Sequence, residues 1–136
     1  MRTVLGIDLG GTRVKAGLVQ DGQLRDVLVR VLSPNDKSEA GILDFLASTI
    51  ADLLGRSAVS TDEVAGAGIR VAGVIAFQDG IICESPNFPA WRNFPIKRHL
   101  SARLGMPVVL DNDANVVILG EARFGAGREC GDFIGL

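Results

Sequence analysis

The sequence predicts an α/β fold in which a mixed sheet, an antiparallel meander continued by parallel strands, is flanked by helices. Residues 3–9, 14–20 and 24–32 are β-branched and aliphatic runs joined by short turns, as in an antiparallel meander. From about Ser38 the apolar period lengthens to that of a helix. Beyond that helix, strand-like and helical segments alternate, as parallel strands with helical crossovers require.

The elements follow in order. The first two runs meet at Gly10-Gly11-Thr12, and the second and third at Gln20-Asp21-Gly22-Gln23, whose Asp-Gly pair is a strong hairpin signal. Ser33-Pro34-Asn35-Asp36 then breaks the pattern. Ile42, Leu46, Ile50, Leu53 and Leu54 make one helical stripe, Asp44, Ser48 and Asp52 take the opposite face, and Gly55 is placed to end the helix. Ser60-Thr61-Asp62-Glu63 has capping-box spacing. Residues 65–74 read as a strand whose many small residues invite close approach by backbone or ligand, and residues 75–82 as a hairpin turning at Gln78-Asp79-Gly80. Residues 84–95 form a loop fixed by Pro86, Pro89 and Pro95. Residues 95–104 are helical and closed by Gly105. Residues 106–110, wholly apolar after a proline, predict a buried central strand, and residues 116–124 return to helical spacing.

Composition narrows the function classes. The chain of 136 residues suits one domain, and 47% hydrophobic with 22% charged residues is a globular balance. A net charge of −2 without a basic block argues against nucleic acid. No apolar run reaches membrane-spanning length, and the first strand begins too soon for a signal peptide. Cys83 and Cys130 lie far apart in no metal-ligand spacing, so reduced thiols and a cytoplasmic location are expected. The single His99 reads as a surface residue. The last residues, Asp132-Phe133-Ile134-Gly135-Leu136, read as a strand just beginning, which predicts one domain of a longer protein.

Two constellations carry chemistry. At Ile7-Asp8-Leu9-Gly10-Gly11-Thr12, glycine amides can approach an anion closely, the Thr12 hydroxyl adds a donor, and the Asp8 carboxylate suits a divalent cation bridging to phosphate. An ordinary tight hairpin accounts for the same residues. Asp111-Asn112-Asp113-Ala114-Asn115 stands where a strand hands over to a helix, the place where open α/β sheets put ligands. Asp111 or Asn112 suffices as a helix N-cap, but the cluster holds more amides and carboxylates than a cap uses. A carboxylate there can take a proton from a substrate hydroxyl while neighbouring amides hold other hydroxyls. Asn87 either adds an amide to that pocket or serves its turn, and Trp91 either walls the pocket or anchors the loop.

These residues resemble a known family. Gly6 to Gly17, reading GIDLGGTRVKAG, looks like the first phosphate motif of sugar kinases in the actin and hexokinase superfamily. Ser85-Pro86-Asn87-Phe88-Pro89-Ala90-Trp91, Asn112-Asp113-Ala114-Asn115, Gly120-Glu121 and Gly125-Ala126-Gly127-Arg128 narrow it to the ROK group (repressors, open reading frames and kinases), most similar within it to bacterial glucokinases. The resemblance covers nearly the whole chain. It implies an actin-like ATPase, ribonuclease H-like fold and ATP-dependent phosphorylation of a hexose, glucose foremost, at its 6-hydroxyl. Asp113 would be the general base, Asn112 and Asn87 would bind sugar hydroxyls, and Gly73 would let backbone reach the sugar. Asp8 would hold hydrated Mg²⁺, with Gly10, Gly11 and Thr12 beside the ATP phosphates.

The resemblance also implies that residues 1–136 are the N-terminal domain. The second phosphate motif, the adenosine site, the rest of the sugar pocket and a zinc-binding cysteine motif would lie after Leu136. The expectation is therefore a fragment inactive alone, belonging to a protein that takes a hexose, pairs with a second copy, and binds neither nucleic acid nor membrane. The alternative is the sugar-sensing domain of a ROK transcriptional repressor; Met1, within a few residues of the first strand, leaves no room for a preceding helix-turn-helix. One departure from the family stands out. In Gly68-Ile69-Arg70-Val71-Ala72-Gly73, Arg70 and Ala72 replace a glycine and a proline, and Arg70 must either face solvent or meet a carboxylate.

Overall fold

The computed structural model describes residues 1–135. Strand β1 (Thr3–Leu9) alternates buried and open positions, sending Leu5, Ile7 and Leu9 to one side. Its antiparallel partner β2 (Arg13–Gln20) buries Val14, Ala16 and Leu18 on the same side. Strand β3 (Gln23–Val31) follows β2 through a turn with φ 51° at Asp21 and 79° at Gly22, as an Asp-Gly hairpin demands.

Helix α1 (Glu39–Arg56) covers the buried side, its N-terminus capped by the Ser38 hydroxyl accepting from the Gly41 N–H at 2.9 Å. Its apolar stripe, including Ile42, Leu46, Ile50 and Leu53, joins the strand residues in the core. The polar face bonds as well as solvates: Asp44 pairs with Arg103, and Ser48 accepts from Arg30 at 2.9 Å. Gly55 does not end this helix. Arg56 continues it and donates to both Asp26 carboxylate oxygens at 2.8 and 2.6 Å; Ser57 is the cap, and the positive φ falls at Ala58, 53°.

Strand β4 (Val64–Val71) lies parallel to β1. The expected run to Val74 is broken at Ala72-Gly73, because Gly73, with φ 142°, turns the chain out of the sheet. A methyl at Gly73 would collide with the Glu84 carbonyl oxygen. Beyond the break, β5 (Val74–Ala76) and β6 (Ile81–Glu84) form a separate antiparallel hairpin. Helix α2 (Ile96–Leu104) ends at Gly105 with φ 67°, and His99 is exposed upon it.

Strand β7 (Val108–Asn112) pairs parallel with β4, completing a five-stranded sheet of order β3-β2-β1-β4-β7. It is not a central strand. It lies at one end of that order, with Val108 and Leu110 buried but Val109 52% exposed, facing a hollow that it shares with Phe77 and Leu119. Helix α3 (Asp113–Phe124) begins three residues before the expected start at Val116, since Asn112 caps it. The expected terminal strand is absent over residues 132–135, which pair with no neighbour among the described residues; Leu136 lies outside them. Among the described residues no helix is long and apolar enough to cross a membrane.

Candidate functional site

The parallel strands β1, β4 and β7 all end on one side of the molecule, and the candidate residues gather there. Ile7 and Leu9 point into the core, so Asp8 between them points to the open face. Register then sets its neighbours: Lys15 opposes Asp8 on β2, Arg70 opposes it on β4, and Asp111 opposes Arg70 on β7. Basic and acidic groups thus alternate across the sheet. Arg70 Nε stands 3.7 Å from Asp8 Oδ1, both side chains 40% exposed. This is an ion pair too long for a hydrogen bond, and Arg70 Nε is out of water without an acceptor among the described residues. Arg70 therefore meets a carboxylate, resolving the choice left open by its sequence position.

The turn after β1 is tight. The Gly10 N–H donates to the Arg13 carbonyl at 3.1 Å and so is not available to a ligand. Among the described residues, the N–H groups of Gly11 and Thr12 donate to no protein acceptor. Against Gly11 stands Asn87: a methyl on Gly11 would lie 3.0 Å from both Asn87 Cγ and Oδ1.

Asn87 is held there by its loop. The buried Trp91 stacks on Phe88 with ring centroids 3.9 Å apart, meets Phe94 edge-on at 5.0 Å, and donates through Nε1 to the Lys37 carbonyl at 2.9 Å. The Ser85 hydroxyl donates to the Ala72 carbonyl at 2.6 Å, tying the loop to the end of β4. Trp91 therefore anchors this loop.

At the head of α3, Asn112 Oδ1 accepts from the Asn115 N–H at 2.8 Å, which is the N-cap. Asp111 Oδ1 accepts from the Asn112 N–H at 2.8 Å and from Asn115 Nδ2 at 3.0 Å. Among the described residues Asp113 bonds only locally, its Oδ1 accepting from the Ala114 N–H at 3.0 Å, which leaves its other oxygen without a partner. Capping thus accounts for Asp111, Asn112 and Asn115 but not for Asp113.

Three hollows surround these groups. One of about 270 Å³ is lined by Arg70, Asp113 and Ala114 with residues of α3. A second, about 550 Å³, has Asp8, Arg70 and Asp111 on its rim and apolar walls that include Phe77, Val109 and Leu119. Gly73 lines a third, about 310 Å³, with Glu84, Ser85 and Arg92. The structure therefore brings Asp8, Arg70 and Asp113 around one strand end and Asn87 to the glycine turn, while Gly73 opens onto a neighbouring hollow. Sequence reasoning allowed Arg70 a carboxylate but did not identify it as Asp8, and it missed Lys15, which stands opposite Asp8 in the register. Their alternating charges carry a signal only once the strand register is known.

Among the described residues no three potential metal-ligating side chains cluster. Asp8 is a lone half-exposed carboxylate, suited to a hydrated cation that completes its shell with other oxygens.

Residues 4–136 match the ROK family. Glucokinase of Thermotoga maritima is 39% identical over 127 residues, which are 92% of this chain and 38% of that protein. Among solved structures, the ROK hexokinase of Thermus thermophilus superposes with a TM-score of 0.80 at 32% identity, over 93% of this chain and 40% of that one. A ROK family glucokinase from Streptomyces griseus, in complex with glucose and AMPPNP, gives 0.79 at 32% identity, over 93% and 38%. The mixed sheet flanked by helices is the actin-like ATPase fold of these kinases. The chain spans about two-fifths of the length of the relatives it matches.

Proposed function

Since this chain belongs to the ROK family, we propose that it is the N-terminal domain of an ATP-dependent hexose kinase, with glucose the foremost substrate and the 6-hydroxyl the acceptor. The observation that carries the reading is Asp113, a carboxylate held at the head of α3 with one oxygen left open, at the strand end where Asp8 and the glycine turn also lie. A capping role leaves that oxygen unexplained.

Asp113 accepts the proton of the sugar's 6-hydroxyl as that oxygen bonds to the γ-phosphorus and the bond from phosphorus to the departing ADP breaks. Most of the rate then comes from positioning and charge neutralisation rather than covalent catalysis. Asn112 spends Oδ1 on its cap, so its Nδ2 is the group free to donate to a sugar hydroxyl. Asn87 supplies a second amide beside the phosphate turn, and Gly73 keeps the backbone approach open. The free amides of Gly11 and Thr12 face the phosphates, while Gly10 shapes the turn through its bond to Arg13. Asp8 would hold hydrated Mg²⁺, which when bound neutralises phosphate charge.

A second domain closing over the sugar supplies the rest of the site, and the 136-residue chain by itself is inactive. The test is a hexose panel on the full-length protein, wild type and Asp113→Asn. The variant is expected to lose about 10³-fold in kcat while still binding sugar. Unchanged turnover in Asp113→Asn would refute the base assignment. Hexose binding by the wild type with no phosphorylation of any sugar would favour sugar sensing instead.

A further inference from the structure

We propose that Arg70 is a phosphate-binding residue, its guanidinium holding the phosphoryl group of the donor near Asp8 and Asp113. The proposal rests on the kinase reading and adds to it a residue that the family pattern does not contain, since the ROK motif resembled by residues 68–73 has glycine at this position.

Arg70 has few competitors for its charge. Asp111, its register partner on β7, already accepts from Asn112 and Asn115 through Oδ1. Among the described residues Asp8 is then its one ion-pair partner, at 3.7 Å. Among the described residues Arg70 Nε has no hydrogen-bond acceptor, so the guanidinium is not committed to a protein partner. The side chain is 40% exposed, so an incoming anion with several oxygens can meet the open end of the guanidinium.

Place and shape agree with that ligand. Arg70 lines both the hollow that holds Asp113 and the one that holds Asp8, so it is the residue common to the surroundings of the carboxylates proposed for the base and for the cation. Carboxylates alone would repel a phosphate entering between them, and one fixed cation offsets that repulsion. The planar fork of arginine meets phosphate oxygens in pairs, which a lysine point charge cannot do.

The competing role is a plain counter-ion for Asp8, and metal-free anion binding separates the two. Inorganic tripolyphosphate is titrated calorimetrically into the full-length protein in the presence of a chelator, so that no cation bridges the anion to Asp8. Arg70→Gln is expected to weaken binding about tenfold or more, and Arg70→Lys to weaken it less. Asp8→Asn, which releases the guanidinium from its carboxylate, is expected to strengthen it. In the kinase assay Arg70→Gln is expected to lower kcat about 100-fold with the hexose KM within about twofold. Tripolyphosphate affinity unchanged in a folded Arg70→Gln overturns the proposal, and if the wild type phosphorylates hexose the kinase reading survives that failure. A wild type that phosphorylates no hexose, but loses tripolyphosphate binding on Arg70→Gln, keeps the anion site and removes the kinase reading.

Discussion

Asn87 stands against Gly11: the side chain of a proline-fixed loop closes on the backbone of the glycine turn, leaving 3.0 Å between Asn87 and the point where a Gly11 Cβ would sit. The contact joins segments far apart in sequence and makes the shape of the turn depend on the loop. A methyl at Gly11 must push Asn87 aside by a few tenths of an ångström. Gly11→Ala is expected to lower kcat/KM about 10–100-fold through misplacement, with little loss of thermal stability. Asn87→Ala made in the Gly11→Ala background should cost less than in the wild type, because the first change has already displaced that side chain. Full additivity in this double-mutant cycle would disprove the coupling.

Gly73 is a backbone requirement. Its φ of 142° and the nearby Glu84 carbonyl exclude a side chain. Gly73→Ala is expected to destabilise the fold by about 3 kcal/mol, read by urea unfolding, from strain plus displacement of the β6 backbone.

Trp91 holds its loop in two separable ways, by ring packing and by the Nε1 bond to Lys37. Trp91→Phe keeps most of the stack and loses the bond, for about 1–2 kcal/mol. Trp91→Ala loses both, for about 3–5 kcal/mol. Equal losses in the two variants would mean that the bond to Lys37, and not the packing, dominates.

Acid stability should depend on Asp26 and Asp36. The Asp26 carboxyl is held below its ordinary value of 3.8 by the Arg56 guanidinium, and Asp36 below the same value by the backbone N–H and hydroxyl of Ser33. Both folded-state values are depressed relative to the unfolded chain. Their contribution is therefore fully present above the ordinary carboxylate value and is lost as pH falls through the lower folded values. Melting temperatures measured from about pH 6 to about pH 2 should fall less steeply for Asp26→Asn and Asp36→Asn than for the wild type, with the variants less stable at the upper end. A wild-type slope retained in both variants would place the acid-labile groups elsewhere.

The elements were legible where local chemistry speaks alone. The Asp21-Gly22 turn, the stripe from Ile42 to Leu54 and the Gly105 stop each follow from a few neighbouring residues, and each forms as the pattern requires. Two misread boundaries were decided by tertiary contacts. Gly55 fails as a helix stop because Arg56 finds Asp26 on β3, and the strand expected to reach Val74 breaks because Glu84 crowds Gly73. Val109 is open because it faces the hollow that it shares with Phe77 and Leu119. The partner of Arg56 lies 30 residues away, whereas the early start of α3 has a local cause in its Asn112 cap.

The sequence by itself determined the kind of domain, the residues able to carry chemistry and the family. Motif spacing and hydrophobic period are local properties, and they survive without knowledge of which strands pair. Tertiary structure alone decided which groups meet. Strand register puts Arg70 beside Asp8 and Asp111, and the packed Trp91 loop delivers Asn87 to Gly11. A shift of one residue in β4 would turn Arg70 toward the core. That choice is made by burial of Ile69 and Val71 across the whole sheet, a non-local term that no window of sequence contains.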